Sequence, residues 1–115
     1  MAAICFLLTF LTELTSNTAT AEMLLPVLAA LGVALEVDPR LLMIPGTIAC
    51  SCAFMLPVAT PPNAIVFATE RVSIRTMART GLILNLIGVA LITLWMAVGG
   101  GLLGLEVGTF PEWAR

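Results

Sequence analysis

Residues Val58-Ala59-Thr60-Pro61-Pro62-Asn63-Ala64, VATPPNA, interrupt a segment that otherwise reads as a membrane helix. A proline has no N–H, and its ring clashes with the carbonyl four residues back. Pro61 and Pro62 therefore deprive the carbonyls of Pro57 and Val58 of helical partners, and Pro57 does the same to Ala53. Thr60 stands where it can cap a new helix whose first turn holds the prolines at the positions where a missing N–H costs least. One half-helix thus ends in free carbonyls and another begins with its positive dipole end, face to face at depth. Carbonyl oxygens suit a hard cation such as Na⁺, whereas a helix N-terminus suits an anion.

Composition sets the surroundings of this break. The 115 residues are 60% hydrophobic and 10% charged, with a mean hydropathy of +1.10. That is more apolar surface than one soluble core can absorb, so the surplus faces lipid. A net charge of −2 argues against a nucleic-acid partner. There is no histidine, which excludes imidazole chemistry. Cys50 and Cys52 lie about 200° apart around a helix axis and cannot chelate one ion together, so they read as small core residues. The N-terminus lacks a basic start and a small-residue cleavage pattern, which argues against a signal peptide and for the middle of a longer polytopic protein.

Working outward, the run Ala2 to Leu14 spans only ~20 Å as a helix, short of a ~30 Å hydrocarbon core. The polar knot Thr15-Ser16-Asn17-Thr18 follows, and a second apolar run extends from Ala19 to about Leu35. The knot is therefore expected at membrane depth, at the tip of a re-entrant hairpin over residues 1–35, where irregular backbone survives only against protein or a water-filled cavity. Asp38 and Pro39 read as the N-cap and first position of the next helix. A discontinuous helix is expected over 39–74, its first half running from Leu41 to Leu56. Residues 76–99 are expected to form the last transmembrane helix, apolar from Gly81 to Val98, with Trp95 near the interface and Gly99-Gly100-Gly101 as its stop. The polar stretch Thr69 to Arg79 carries Arg71, Arg75 and Arg79 and reads as cytoplasmic. The tail, 100–115, carries Phe110 and Trp113 and reads as a segment at the membrane surface.

Alone, a Ser-Asn-Thr is usually a cap or turn, and a Pro-Pro in a membrane helix is usually a kink. Together, about forty residues apart and each after an apolar run, they predict two broken helices converging on one polar pocket, an arrangement used by secondary transporters built from inverted repeats. Glu13 and Glu22 flank the tip; a structural hydrogen-bonding role and ion binding are both open for them. Asn85 reads as interhelical glue.

FLTELTSNTATA and CAFMLPVATPPNAIVFA resemble the second Ser-Asn-Thr signature and the Pro-Pro-Asn signature of the divalent anion:sodium symporter family, whose members carry dicarboxylates, citrate or sulfate. The similarity runs from about Phe6 to Trp95, with Ala68 where the family often has glycine. It implies an all-α, elevator-type membrane transporter with scaffold and moving parts, normally a homodimer, in which sodium is co-transported. Carried over by position, Asn17, Thr18, Thr60 and Pro61 would contact a small anionic substrate. Thr12, Thr15, Asn17 and Ala59 would supply oxygens to one sodium ion, several through the backbone. Ser16, Pro62 and Asn63 would support the site, Asn63 by holding the unwound loop together. The family needs two inverted repeats, and these residues match the C-terminal part of the second. The first hairpin with its sodium site would have to come from the same or another chain.

The expectation is thus the C-terminal part of a sodium-coupled transporter for di- or tricarboxylates or related divalent oxyanions. It would be multi-pass in a plasma or inner membrane, with Arg71 to Arg79 inside. Two rivals are a transporter of another anion, such as sulfate or arsenite, and a non-transporting membrane subunit. An enzyme is the least supported reading, because no nucleophile, base and orienting group occur together.

Overall fold

A computed structural model describes residues 1–105 and 110–112. The described residues include five α-helices and a short 3₁₀ segment joined by turns and loops: α1 Ala2–Thr12, α2 Asn17–Ala34, α3 Arg40–Cys50, α4 Pro61–Ala68, α5 Ile74–Gly99 and the 3₁₀ turn Gly100–Leu103. There is no strand among them. By length and hydropathy, Asn17–Ala34 and Ile74–Leu103 are each able to cross a membrane. At 11 residues, α1 and α3 reach only about 16 Å each.

The helices begin where side chains take over the N–H groups that a first turn leaves bare. Ser16 Oγ accepts from Ala19 N, Thr60 Oγ1 from Asn63 N and Ser73 Oγ from Thr76 N. Asp38 and Pro39 are the expected N-cap and first position of α3, but the helix starts at Arg40 with Pro39 as its N-cap, and Asp38 Oδ1 accepts from Arg40 N at 2.9 Å from one residue further out. Arg40 closes this start as an ion pair, Nη2 to Asp38 Oδ2 at 2.6 Å. This contact and the hydrogen bonds with it hold the Asp38 carboxyl below its usual range. Helix α2 ends on Glu36 in the left-handed region, φ 54°. Val37 N donates to Gly32 O and Glu36 N to Val33 O, a Schellman closure.

The core lies where four helices meet. Cys5 and Leu8 of α1, Leu28 of α2, Leu42, Ala49 and Cys50 of α3, and Val89 and Ile92 of α5 form one buried cluster. Thr9 Oγ1 on α1 donates to Ala49 O on α3. Helix α3 packs against α1, α2 and α5, so both broken segments are referred to one central element.

Several boundaries depart from the sequence reading, among them α4, which ends at Ala68 rather than at 74, and α5, which starts at Ile74 rather than at 76. Helix α2 starts at Asn17 rather than Ala19, because Ser16 is the cap; Asn17 and Thr18 therefore occupy its first turn. Helix α3 stops at Cys50 rather than Leu56: Ser51 N and Cys52 N turn back to Ile48 O and Ala49 O, and the N–H groups of Phe54, Met55 and Leu56 go to side chains from elsewhere. The last α-helix ends at Gly99 in the triple glycine, and a 3₁₀ turn carries the chain on to Gly104, φ 66°. Trp113 of the tail lies outside the described residues.

Candidate functional site

The hairpin tip and the unwound segment meet. Leu14, Thr15, Ser16, Asn17 and Thr18 line one side of an open pocket of about 550 Å³, and Val58, Ala59 and Pro61 line the other. No lining residue is charged. The pocket gathers Thr15, Ser16, Asn17, Thr18, Ala59 and Pro61, six of the residues singled out from the sequence. Thr60 is absent from its lining and caps α4. Thr12 is fully buried, and its hydroxyl donates to Thr9 O at 3.0 Å, so its side chain is committed within α1.

On the tip side, valences remain open. Ala19 N is capped by Ser16 Oγ and Thr20 N donates to Ser16 O, which leaves the N–H groups of Asn17 and Thr18 as the first-turn donors without a helical acceptor, on two residues that line the pocket. Thr15 Oγ1 donates to Leu11 O at 2.9 Å and so must accept from Thr20 Oγ1 at 2.7 Å, since a hydroxyl has one proton. Asn17 Oδ1 is buried and has no hydrogen-bond partner. An orphaned buried carbonyl oxygen is costly unless something occupies it.

On the loop side, the N–H groups of Phe54, Met55 and Leu56 and the carbonyls of Ala53 and Leu56 are all taken. Asn85 Oδ1 accepts from Phe54 N at 3.2 Å, and the two Glu13 oxygens accept from Met55 N at 2.9 Å and Leu56 N at 3.0 Å. Asn85 Nδ2 donates to Glu13 Oε1 at 2.6 Å. Asn63 Nδ2 donates to both Ala53 O and Leu56 O at 3.0 Å, so the carbonyl stripped by Pro57 is repaired from α4. Helix α4 itself offers no free N–H at its start: Pro61 and Pro62 have none, Asn63 N meets Thr60 Oγ1 and Ala64 N meets Thr60 O. Its positive end acts by dipole alone, and the anion donors are those of α2. The carbonyls of Pro57 and Val58 meet no donor among the described residues.

Helix α5 approaches this loop at Gly81. A Cβ there would come within 2.5 Å of Met55 Cα and would overlap Phe54 O; only glycine lets the backbones touch. Gly81 was not singled out from the sequence, and Glu13 was left between two roles. A count of the loop's N–H groups, which need acceptors once α3 ends, would have pointed to the buried carboxylate. Glu22 is exposed and lines a second, smaller pocket that shares Asn17 and Thr18 with the first and adds Thr47, Cys50 and Ser51.

A family model described as the sodium:sulfate symporter transmembrane region matches residues 1–105. The chain is 51% identical to the Na(+)/dicarboxylate cotransporter 3 of Rattus norvegicus over 97% of its length, covering 18% of that protein. It is 59% identical over 74% of its length to the sodium-dependent dicarboxylate transporter SdcS of Staphylococcus saprophyticus, covering 16%. With solute carrier family 13 member 2 of Oryctolagus cuniculus it shares 49% identity over 97%, covering 19%. The chain spans less than a fifth of these relatives, which are named as transporters or solute carriers and not as enzymes. With the family match running through both breaks and the last helix, the chain belongs to the divalent anion:sodium symporter family of membrane transport proteins.

Proposed function

We propose that this chain is the C-terminal part of a sodium-coupled secondary transporter for di- or tricarboxylates or related divalent oxyanions, and that it supplies half of the substrate and sodium sites. The observation that carries the reading is the orphaned, buried Oδ1 of Asn17, a residue that lines the uncharged pocket between the two breaks. The amide divides the work: its oxygen suits a hard cation, and its NH₂ group, with Thr18 and the α2 N-terminus, suits a carboxylate. Thr15 and the carbonyls near Ala59 complete the cation side, with Thr12 contributing through its backbone. Bound sodium orders the tip and brings the positive charge that lets an anion enter without an arginine. Pro61 forms the facing wall, while Ser16, Thr60, Pro62 and Asn63 hold the two helix starts. The relatives' names support dicarboxylates, and the family description supports sulfate; a neutral lining recognises an oxyanion without counting its carbons.

In this reading α1 and α2 form a re-entrant hairpin, α3 and α4 one discontinuous helix, and α5 the last membrane crossing. The first inverted repeat, contributed by the same or another chain, completes the site in a homodimeric elevator that spans a plasma or inner membrane several times. The test is uptake of labelled succinate by the full-length protein in liposomes under an inward sodium gradient, with unlabelled citrate, sulfate and arsenite as competitors. Uptake that is sodium-dependent and displaced by citrate is expected. Uptake displaced only by sulfate or arsenite moves the substrate to those anions, and absence of sodium-dependent uptake of any of them overturns the proposal.

A further inference from the structure

The loop wall of the pocket has no helix to hold it, because residues 51–60 are unwound. Three successive N–H groups in this stretch, of Phe54, Met55 and Leu56, would each lack an acceptor. All three are taken by two side chains distant in sequence, Glu13 and Asn85, which also bond to each other. Glu13 is 3% exposed and does not line the pocket, so it is no ligand. It stands two residues before Thr15 and four before Asn17, directly under the tip.

We propose that Glu13 is the positioning residue of this site, coupling the hairpin tip to the unwound loop. By standing in for the carbonyls of a missing helical turn, its two oxygens hold Met55 and Leu56 in the register that presents Val58 and Ala59 to Thr15–Thr18. Asn85, oriented by Glu13 through its NH₂ group, turns its oxygen to Phe54 and ties the same loop to α5. Any ordering of the tip is then transmitted to the opposite wall through a rigid hydrogen-bonded link. The proposal rests on the transport reading for its consequence, but the link itself is independent of transport.

The chemistry makes the residue type specific. Both Glu13 oxygens face donors, so glutamine, with one acceptor and one NH₂, sets a donor against a donor. In the full-length protein, Glu13→Gln is expected to accelerate amide exchange at Met55 and Leu56, resolved to single residues, while exchange in α5 is unchanged. In liposomes it is expected to raise the half-saturating sodium concentration roughly tenfold at unchanged membrane abundance, the factor expected when one hydrogen bond to a charged group is lost. Adding Asn85→Asp lets the new NH₂ group donate to a carboxylate while the remaining oxygen accepts from Leu56 N. The pair should recover part of the sodium response, which general loosening of the fold would not. If Glu13→Gln fails to reach the membrane, Asn85→Ala provides the reading: faster exchange at Phe54 alone, with Met55 and Leu56 still protected. Wild-type exchange at all three amides in these variants, or a double variant no better than the single one, overturns the proposal. A wild type that carries no anion, with exchange shifted as described, defeats the transport reading and leaves the link standing.

Discussion

The chain is broken twice, and the two breaks are finished in opposite ways. At residues 13–16 the helix stops and restarts within four residues, leaving donors on α2 and a buried acceptor on Asn17 without partners. At residues 51–60 a longer interruption has its key backbone groups repaired by Glu13, Asn85, Asn63 and Thr60. An unmade hydrogen bond at depth costs more than a made one gains. In the proposed transport reading, the open break is the one that takes the ligand, and the closed break is the wall it binds against.

The sharpest way to break this contrast is at the open side. Asn17→Ala removes both the orphaned oxygen and the NH₂ group, and sodium-driven uptake by the full-length protein should fall by about 100-fold or more if two such contacts at ~1.5 kcal/mol each are lost. Thermal stability should be unchanged or higher, since a buried unpaired group disappears; uptake near wild type would remove Asn17 from the site.

Substitutions on the closed side should act in the opposite sense, on stability before binding. Gly81→Ala drives a methyl into the Phe54–Met55 backbone and should destabilise by about 1–3 kcal/mol, the usual cost of overpacking. A thermal midpoint equal to that of the wild type would contradict the close approach. Asn63→Ala frees the carbonyls of Ala53 and Leu56 and should cost about 1–2 kcal/mol, read from the same melting curves. A loss of uptake with no loss of stability would mean that the loop is not closed by Asn63.

The smallest effect lies outside both breaks. Asp38 has its pKa lowered by Arg40, so the pair contributes stability that is present above the usual carboxylate value. That contribution is lost as pH falls through the lowered value. Asp38→Asn should flatten this acidic part of the stability profile and leave sodium-driven uptake at neutral pH unchanged; an undiminished acid slope would show that other carboxylates set it.

Much of this architecture was legible because its causes are local. Prolines announce where N–H groups are missing, and Thr60 sits where a cap must sit. The convergence of the two motifs followed from the cost of polar backbone at depth. What escaped was the pairing of residues far apart in sequence: Glu13 with Met55 and Leu56, Asn85 with Glu13, Gly81 with Phe54. A periodicity does not say which acceptor serves a stripped N–H, so the end of α3 was read six residues late. The proline chemistry predicted a break near residue 57, but the helix ends at Cys50 and side-chain acceptors take the N–H groups of Phe54, Met55 and Leu56.

The most direct measurement is amide hydrogen exchange across the full-length protein, with and without sodium and succinate together. The account predicts that Asn17 and Thr18 exchange quickly when the pocket is empty and slow down markedly on adding both ligands, while Phe54, Met55 and Leu56 are protected in either state. Protection at the tip without ligand, or ligand-induced protection confined to Phe54–Leu56, would contradict it.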